Sequence, residues 1–192
     1  MRTLEEYKAI IKPLLTQKRY HHSVCVEKEA VRLAKKYGAN VEKASVAGIL
    51  HDIMKDLPPQ EQLKMMVQFD IILTEVERSA QKLWHAKLGA AYIEKELQIE
   101  DREILDAVRY HTTGRENMTL LDQVLFIADF TSEDRDYPGV EDMRKAADSS
   151  LQDAMLHGMQ FTIQDLAECY KPIHPDTIAA YNQVCLELNR AY

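Results

Sequence analysis

Only twelve of the 192 residues are glycine or proline, and the stretches between them carry apolar side chains at helical spacing. A chain with so few turn signals cannot reverse direction often enough to build a many-stranded sheet, so an all-α helical bundle is expected. Apolar residues form 46% of the sequence, enough for one core at this length, and a single domain over 1–192 is expected. The periodicity predicts helices over about Thr3–Leu15, Tyr20–Tyr37 and Val41–Ile53, the second stopped by Gly38 and the third by Leu57-Pro58-Pro59. Short helices fill about Gln60–Ala80, and longer ones follow over about Leu83–Leu97, Asp101–Tyr110, Leu120–Thr131, Met143–Tyr170 and Pro175–Arg190. Thr3, with Glu6 three residues on, has the form of a capping box.

Charge narrows the partners. The formal charge is −7, from 24 basic and 31 acidic residues, with no basic block. That field opposes general nucleic-acid binding, which phosphate contacts dominate. A small anion held by a metal and a few local cations stays open. Cys25, Cys169 and Cys185 are odd in number, far apart and without CxxC spacing, so buried free thiols in a reducing compartment are expected rather than disulfides or a thiolate zinc site. The start, Met1 to Tyr7, lacks a signal peptide's apolar run, and no stretch nears the roughly 18 apolar residues of a membrane span. A cytoplasmic location with no membrane partner is expected.

The seven histidines carry the most chemical information. A lone histidine is ordinarily a half-buried, hydrogen-bonded side chain, so placement on helix faces decides its meaning. His22 shares a face with Val26, Ala30 and Leu33, whereas His21 shares one with Cys25, Lys28 and Arg32, which turns polar. His22 therefore points inward and His21 outward, and only His22 is a ligand candidate from its face. His51 lies with Ala44, Ala47 and Gly48, small residues that let another backbone approach. Asp52 follows directly, an acid after an apolar helical run, which is costly unless paired or bound to a cation; solvation at the helix end is an equal alternative. His85 lies above Leu88, Gly89 and Tyr92, and His111 ends the face of Ile104, Ala107 and Val108. Asp129 sits inside Leu125-Phe126-Ile127-Ala128-Asp129-Phe130. Five helices thus each bring metal-capable groups to an apolar face, which a shared cation explains better than five separate buried hydrogen bonds.

The ordered series His22, His51-Asp52, His85, His111, Asp129 resembles the HD-domain phosphohydrolases. Arg19-Tyr20-His21-His22, Leu50 to Lys55, Trp84 to Ala90, Arg109 to Arg115, Ala128-Asp129, Arg135 with Pro138-Gly139-Val140, and Ile173 to Thr177 are similar to its YqeK-type branch, over about Arg19 to Asn182. Ser132-Glu133 stands where that branch carries Glu-Pro. The resemblance implies a core over about 19–131 completed by C-terminal helices over about 143–190. It also implies symmetrical hydrolysis of diadenosine tetraphosphate to two ADP with bound iron, one ion or two, other divalent transition metals being alternatives. Metal ligands by position are His22, His51, Asp52 and Asp129, with Asp52, His85 and His111 in the chemistry; His85 and His111 lie at the phosphates or hold a second metal. The substrate stretch covers Arg19, Tyr20, His21, His22, Lys55, His85, His111, Asp129, Arg135 and Pro172-Ile173-His174-Pro175-Asp176-Thr177.

Arg19, Lys55, Arg115 and Arg135 are candidate phosphate clamps, because guanidinium suits phosphate geometry; for Lys55 and Arg115 a solvated surface charge is an equal reading. A polyphosphate repels hydroxide, and a bound metal both neutralises charge and lowers the pKa of its water. Alternatives are an HD enzyme acting on mononucleotides or cyclic dinucleotides, a catalytically silent nucleotide sensor, and a helical interaction domain with ordinary core histidines. Monomer and homodimer are equally expected.

Overall fold

The computed structural model describes residues 2–190. Among these, the regular structure is eleven α-helices and one short 3₁₀ turn, with no strand. Helix α1 (Leu4–Ile11) begins with the expected Thr3–Glu6 capping box. It ends four residues earlier than the periodicity predicts: Lys12 still has helical angles and donates to the Lys8 carbonyl, but Pro13 has no N–H to continue the ladder. Helix α2 (Gln17–Tyr37) stops at Gly38, which adopts the left-handed conformation with φ of 83°. Helix α3 (Val41–Leu50) hands over at His51 to a series of turns through Asp56.

Helices α4 (Pro59–Gln68) and α5 (Glu75–Ser79) fill the segment where short helices are expected, Pro59 taking the first-turn position that needs no N–H. Helices α6 (Trp84–Lys95), α7 (Arg102–Tyr110) and α8 (Leu120–Thr131) follow. Asp101 caps α7 and Thr119 caps α8 in a box with Asp122. The predicted helix Met143–Tyr170 is two: α9 (Val140–Ser149) and α10 (Leu151–Glu168). Ser150 is extended between them, and its hydroxyl accepts from the Asp153 amide, so it caps a new helix rather than continuing the old one. Helix α11 (Pro175–Arg190) is the last element among the described residues.

The core is one cluster, in which α2 packs along α3 and α8, and α7 bridges α3, α6 and α8. Val26, Ala30, Leu33, Ala47, Leu50, Leu88, Val108, Leu125 and Ala128 are fully buried at these contacts. Gly48 permits the closest approach: a Cβ there would lie 2.7 Å from the Glu27 Cα on α2. The small-residue face of His51 therefore does admit another backbone. Helix α10 packs on α8, α9 and α11, bringing the C-terminal segment against the bundle. No helix among the described residues is long and apolar enough to cross a membrane. The cysteines are free, but only Cys25 is buried; Cys169 is exposed and Cys185 intermediate.

Candidate metal centre

Five elements deliver the histidines and acids to one place. His22 comes from the second turn of α2, His51 and Asp52 from the end of α3, His111 from the end of α7, and Asp129 from α8. His85 enters from the first turn of α6. The rings form a row, with centroids 5.3 Å apart for His22–His51, 5.0 Å for His51–His111 and 5.1 Å for His85–His111. All four imidazoles and Asp52 are buried.

Hydrogen bonds fix which nitrogen faces inward. His51 Nδ1 lies 2.8 Å from the Gly48 carbonyl and His111 Nδ1 lies 2.6 Å from the Val108 carbonyl. A carbonyl only accepts, so each Nδ1 carries its proton and each Nε2 lone pair points into the cluster. His22 follows the same rule with a carboxylate, donating from Nδ1 to Asp134 Oδ2 at 2.8 Å. His22 Nε2 then lies 2.9 Å from Asp129 Oδ1 and 3.9 Å from Asp52 Oδ2. His51 Nε2 lies 3.4 Å from Asp52 Oδ2 and 3.9 Å from Asp129 Oδ1, yet it is buried without a hydrogen-bond partner.

A buried, orphaned imidazole nitrogen facing two carboxylates fits a cation ligand, and imidazole with carboxylate is a donor set for a divalent transition metal. His22, His51 and Asp129 form one group that could hold an ion, and His51, Asp52 and His111 form another. Burial alone would raise the Asp52 carboxyl, but the surrounding imidazoles of His51, His111 and His85 hold it well below the usual carboxylate range. Asp129 is held down in the same way, against burial, by His22, Arg135 and His51. His85 moves oppositely: burial drives its imidazole down to about 4, outweighing the pull of Asp52.

Cations surround this cluster. Arg19 donates to Asp52 Oδ2 at 2.7 Å. Arg135 pairs with Asp129 Oδ1 and donates from Nε to the Asp129 carbonyl at 2.6 Å. The Lys55 ammonium sits 3.3 Å from the His85 ring nitrogens, its pKa lowered by burial. The placement of Arg19 depends on a clasp: the Thr16 amide and hydroxyl both donate to Asp56 Oδ2 at 2.8 Å, while the Thr16 oxygen caps α2. That clasp ties the start of α2 to the turn that follows Asp52.

Other residues singled out from the sequence lie elsewhere. Arg115 is held by Asp122 at 2.7 Å and Asp106 at 3.1 Å and lies over the Tyr110 ring, on a small recess walled by Met118, Gln123 and Glu187. Its charge is thus neutralised away from the cluster, against the expectation of a phosphate clamp. His21 is exposed, with its Nε2 3.6 Å from Cys25 Sγ. Tyr20 packs on the edge of the core. Pro172, His174 and Thr177 line a recess of about 290 Å³ with Leu83, Thr112 and Thr113, beside His85 and His111 in the chain. Asp176 borders a smaller pocket that adjoins it through His174 and donates its amide to His174 Nδ1; Ile173 and Pro175 complete the segment.

Sequence reasoning missed Asp134. It lies on the loop after α8, where no periodicity marks a face, and its second oxygen accepts from the Ser132 hydroxyl at 2.8 Å. The nearest signal is the Ser132-Glu133 departure itself. Serine at 132 supplies the donor that fixes Asp134 against His22.

A bundle with inward-facing histidines and a His-Asp pair at the end of a helix defines the class of HD-type metal hydrolases. The HD-domain family profile matches residues 19–134, and the chain belongs to that family. It is 39% identical over 178 residues to the symmetrical bis(5'-nucleosyl)-tetraphosphatase of Halalkalibacterium halodurans, covering 93% of this chain and 95% of that protein. The Bacillus subtilis protein of the same name is 38% identical over equal coverage. A solved Clostridium acetobutylicum structure, described as a predicted HD superfamily hydrolase involved in NAD metabolism, superposes with a TM-score of 0.92 at 34% identity, covering 97% of this chain and 99% of that one.

Proposed function

We propose that this chain is a metal-dependent hydrolase that cuts diadenosine tetraphosphate symmetrically into two ADP. The observation that carries this reading is the near full-length relationship to symmetrical tetraphosphatases, joined to a cluster whose imidazole and carboxylate atoms converge. His22, His51, Asp52 and Asp129 would hold the metal, which we take to be iron. Once bound, it supplies a Lewis acid and a water of lowered pKa. His51 has one Nε2 lone pair, so the two groups that share it compete for one ion. A second ion would have to rely on Asp52, His85 and His111, beside the Lys55 ammonium.

The remaining roles belong to the chain's own groups. Arg19 and Arg135 touch the cluster through a few N–H donors and have others free to grip phosphoryl oxygens. Lys55 adds charge on the His85 side. His85 is neutral at pH 7 and keeps its proton on Nε2, because that atom faces two acceptors, Asp52 Oδ1 at 3.0 Å and His111 Nε2 at 3.2 Å. It can therefore donate to a phosphoryl oxygen, with Asp52 and His111 as its acceptors in the resting site. The 290 Å³ recess at Pro172–Thr177 takes one nucleoside. Water attack on a phosphorus beside the central bridging oxygen then breaks that bond and leaves ADP on each side.

Chromatography of products from metal-loaded protein tests this, and ADP alone is the expected result. ATP with AMP would overturn the symmetrical cut. No turnover with metal bound would favour a sensing module, and turnover only of mononucleotides or cyclic dinucleotides would favour a different HD hydrolase. The cell compartment we propose is the cytoplasm, and the protein works as a monomer or homodimer without nucleic acid.

Asp134 is expected to act on His22 from behind. Asp134→Ala should lower metal affinity about 10- to 100-fold, the usual cost of losing a partner that orients a ligating histidine. Metal retained against a competing chelator measures this, and unchanged retention would assign Asp134 to the loop alone.

A further inference from the structure

Diadenosine tetraphosphate has two nucleoside halves, and the recess at His174 accounts for one. A second concavity of about 380 Å³ opens on the other flank of the cluster. His22 forms part of its wall, whereas the first recess includes Thr112 and Thr113, which follow His111. The row of rings runs from His22 through His51 to His111 and His85, so the second groove is lined by the ring at one end, and the first recess by chain neighbours of the two rings at the other. We propose that this second groove binds the other nucleoside half, the one that leaves as the second ADP. The inference rests on the tetraphosphatase reading above.

The groove has suitable chemistry. Arg19 and Arg135 form its inner end, next to Asp52 and Asp129. Lys18, exposed on the first turn of α2, makes no ion pair among the described residues, so its ammonium is free for a phosphate. The opposing carboxylates are Asp134, which is engaged by His22 and Ser132, and Asp136 at the exposed rim. Tyr137 supplies the aromatic surface. Its hydroxyl donates to the Phe130 carbonyl at 3.1 Å, and its ring lies 5.4 Å from the Phe161 ring. A ring held from two sides loses little freedom when a base stacks on it. The volume falls in the range of small-molecule sites, roughly 300–1,000 Å³.

The test compares ligands that differ only in the second nucleoside. Metal-loaded wild type, Tyr137→Ala, Tyr137→Phe and Lys18→Glu are assayed with diadenosine tetraphosphate, with adenosine 5'-tetraphosphate as competing inhibitor. Losing a base stack should raise KM for the dinucleotide in Tyr137→Ala about 5- to 100-fold. The inhibition constant of the single-nucleoside ligand should stay within about twofold, and Tyr137→Phe should behave as wild type. Lys18→Glu, a surface change that leaves the core untouched, should raise KM for the dinucleotide, less so at high salt. Equal weakening of both ligands in Tyr137→Ala, or an unchanged dinucleotide KM in either Tyr137→Ala or Lys18→Glu, would overturn the groove. Wild type that yields products other than ADP would instead overturn the tetraphosphatase reading, so the two failures are distinct.

Discussion

Asp52→Ala protein is expected to fold with undiminished helix content, to be purified without its metal, and to lose at least about 1,000-fold in activity. One side chain can carry so much because both its oxygens are shared among the imidazoles. Oδ2 faces His51 and His22, while Oδ1 faces His85 at 3.0 Å and His111 at 3.6 Å. Removing it takes away the charge that would neutralise a cation and the acceptor that holds His85. The fold should survive because Asp52, though buried, lies on a turn past α3 outside the apolar core cluster, and its partner Arg19 is 27% exposed and can turn to water. Circular dichroism, elemental analysis and the ADP assay check the three expectations together. Retained turnover would remove Asp52 from the candidate site.

The largest effect on stability is expected at Gly48. Gly48→Ala places a methyl 2.7 Å from the Glu27 Cα and 3.2 Å from its amide nitrogen, and 3.3 Å from the Ala30 Cβ. Backbone cannot swing aside as a flexible side chain can, so α2 and α3 must separate. Overpacking of this kind costs about 1–3 kcal/mol. Each kcal/mol lowers Tm by about 2–4 °C in a protein of this size. Separation of these helices also moves His22 away from His51, which they carry one each, so metal affinity should fall with stability. Thermal unfolding and chelator competition would show both. A variant with unaltered Tm would mean that the helices have slack at this contact.

The parts of the site that the sequence reveals are those placed by helical register. His22 is buried and His21 exposed, as their faces imply, because a 100° step between neighbours settles which one meets the core. His51, His85 and His111 follow for the same reason. Register says nothing about loops, and so Asp134 went unseen although it bonds directly to His22. It says nothing about pairing between helices either, and Arg115 is neutralised by acids on α7 and α8 that only the tertiary fold brings near. The break at Ser150 was hidden differently. Ala146 and Ala147 before it, and Leu151, Ala154 and Met155 after it, are all buried and keep apolar spacing across the junction. Only the capping serine, with Asp153 three residues on, marks the restart.

The candidate ion-holding groups and the recess at His174 are built from different stretches of chain. The former come from helices packed face to face in one core, whereas one wall of the latter is α10 with the segment entering α11, facing a second wall formed by residues 79–83 and Thr112-Thr113. Such a division lets selection retune the nucleoside preference by altering an outer wall while the inorganic chemistry is left alone. Paralogues on this scaffold would then be expected to diverge first between Thr162 and Thr177, and last around His51.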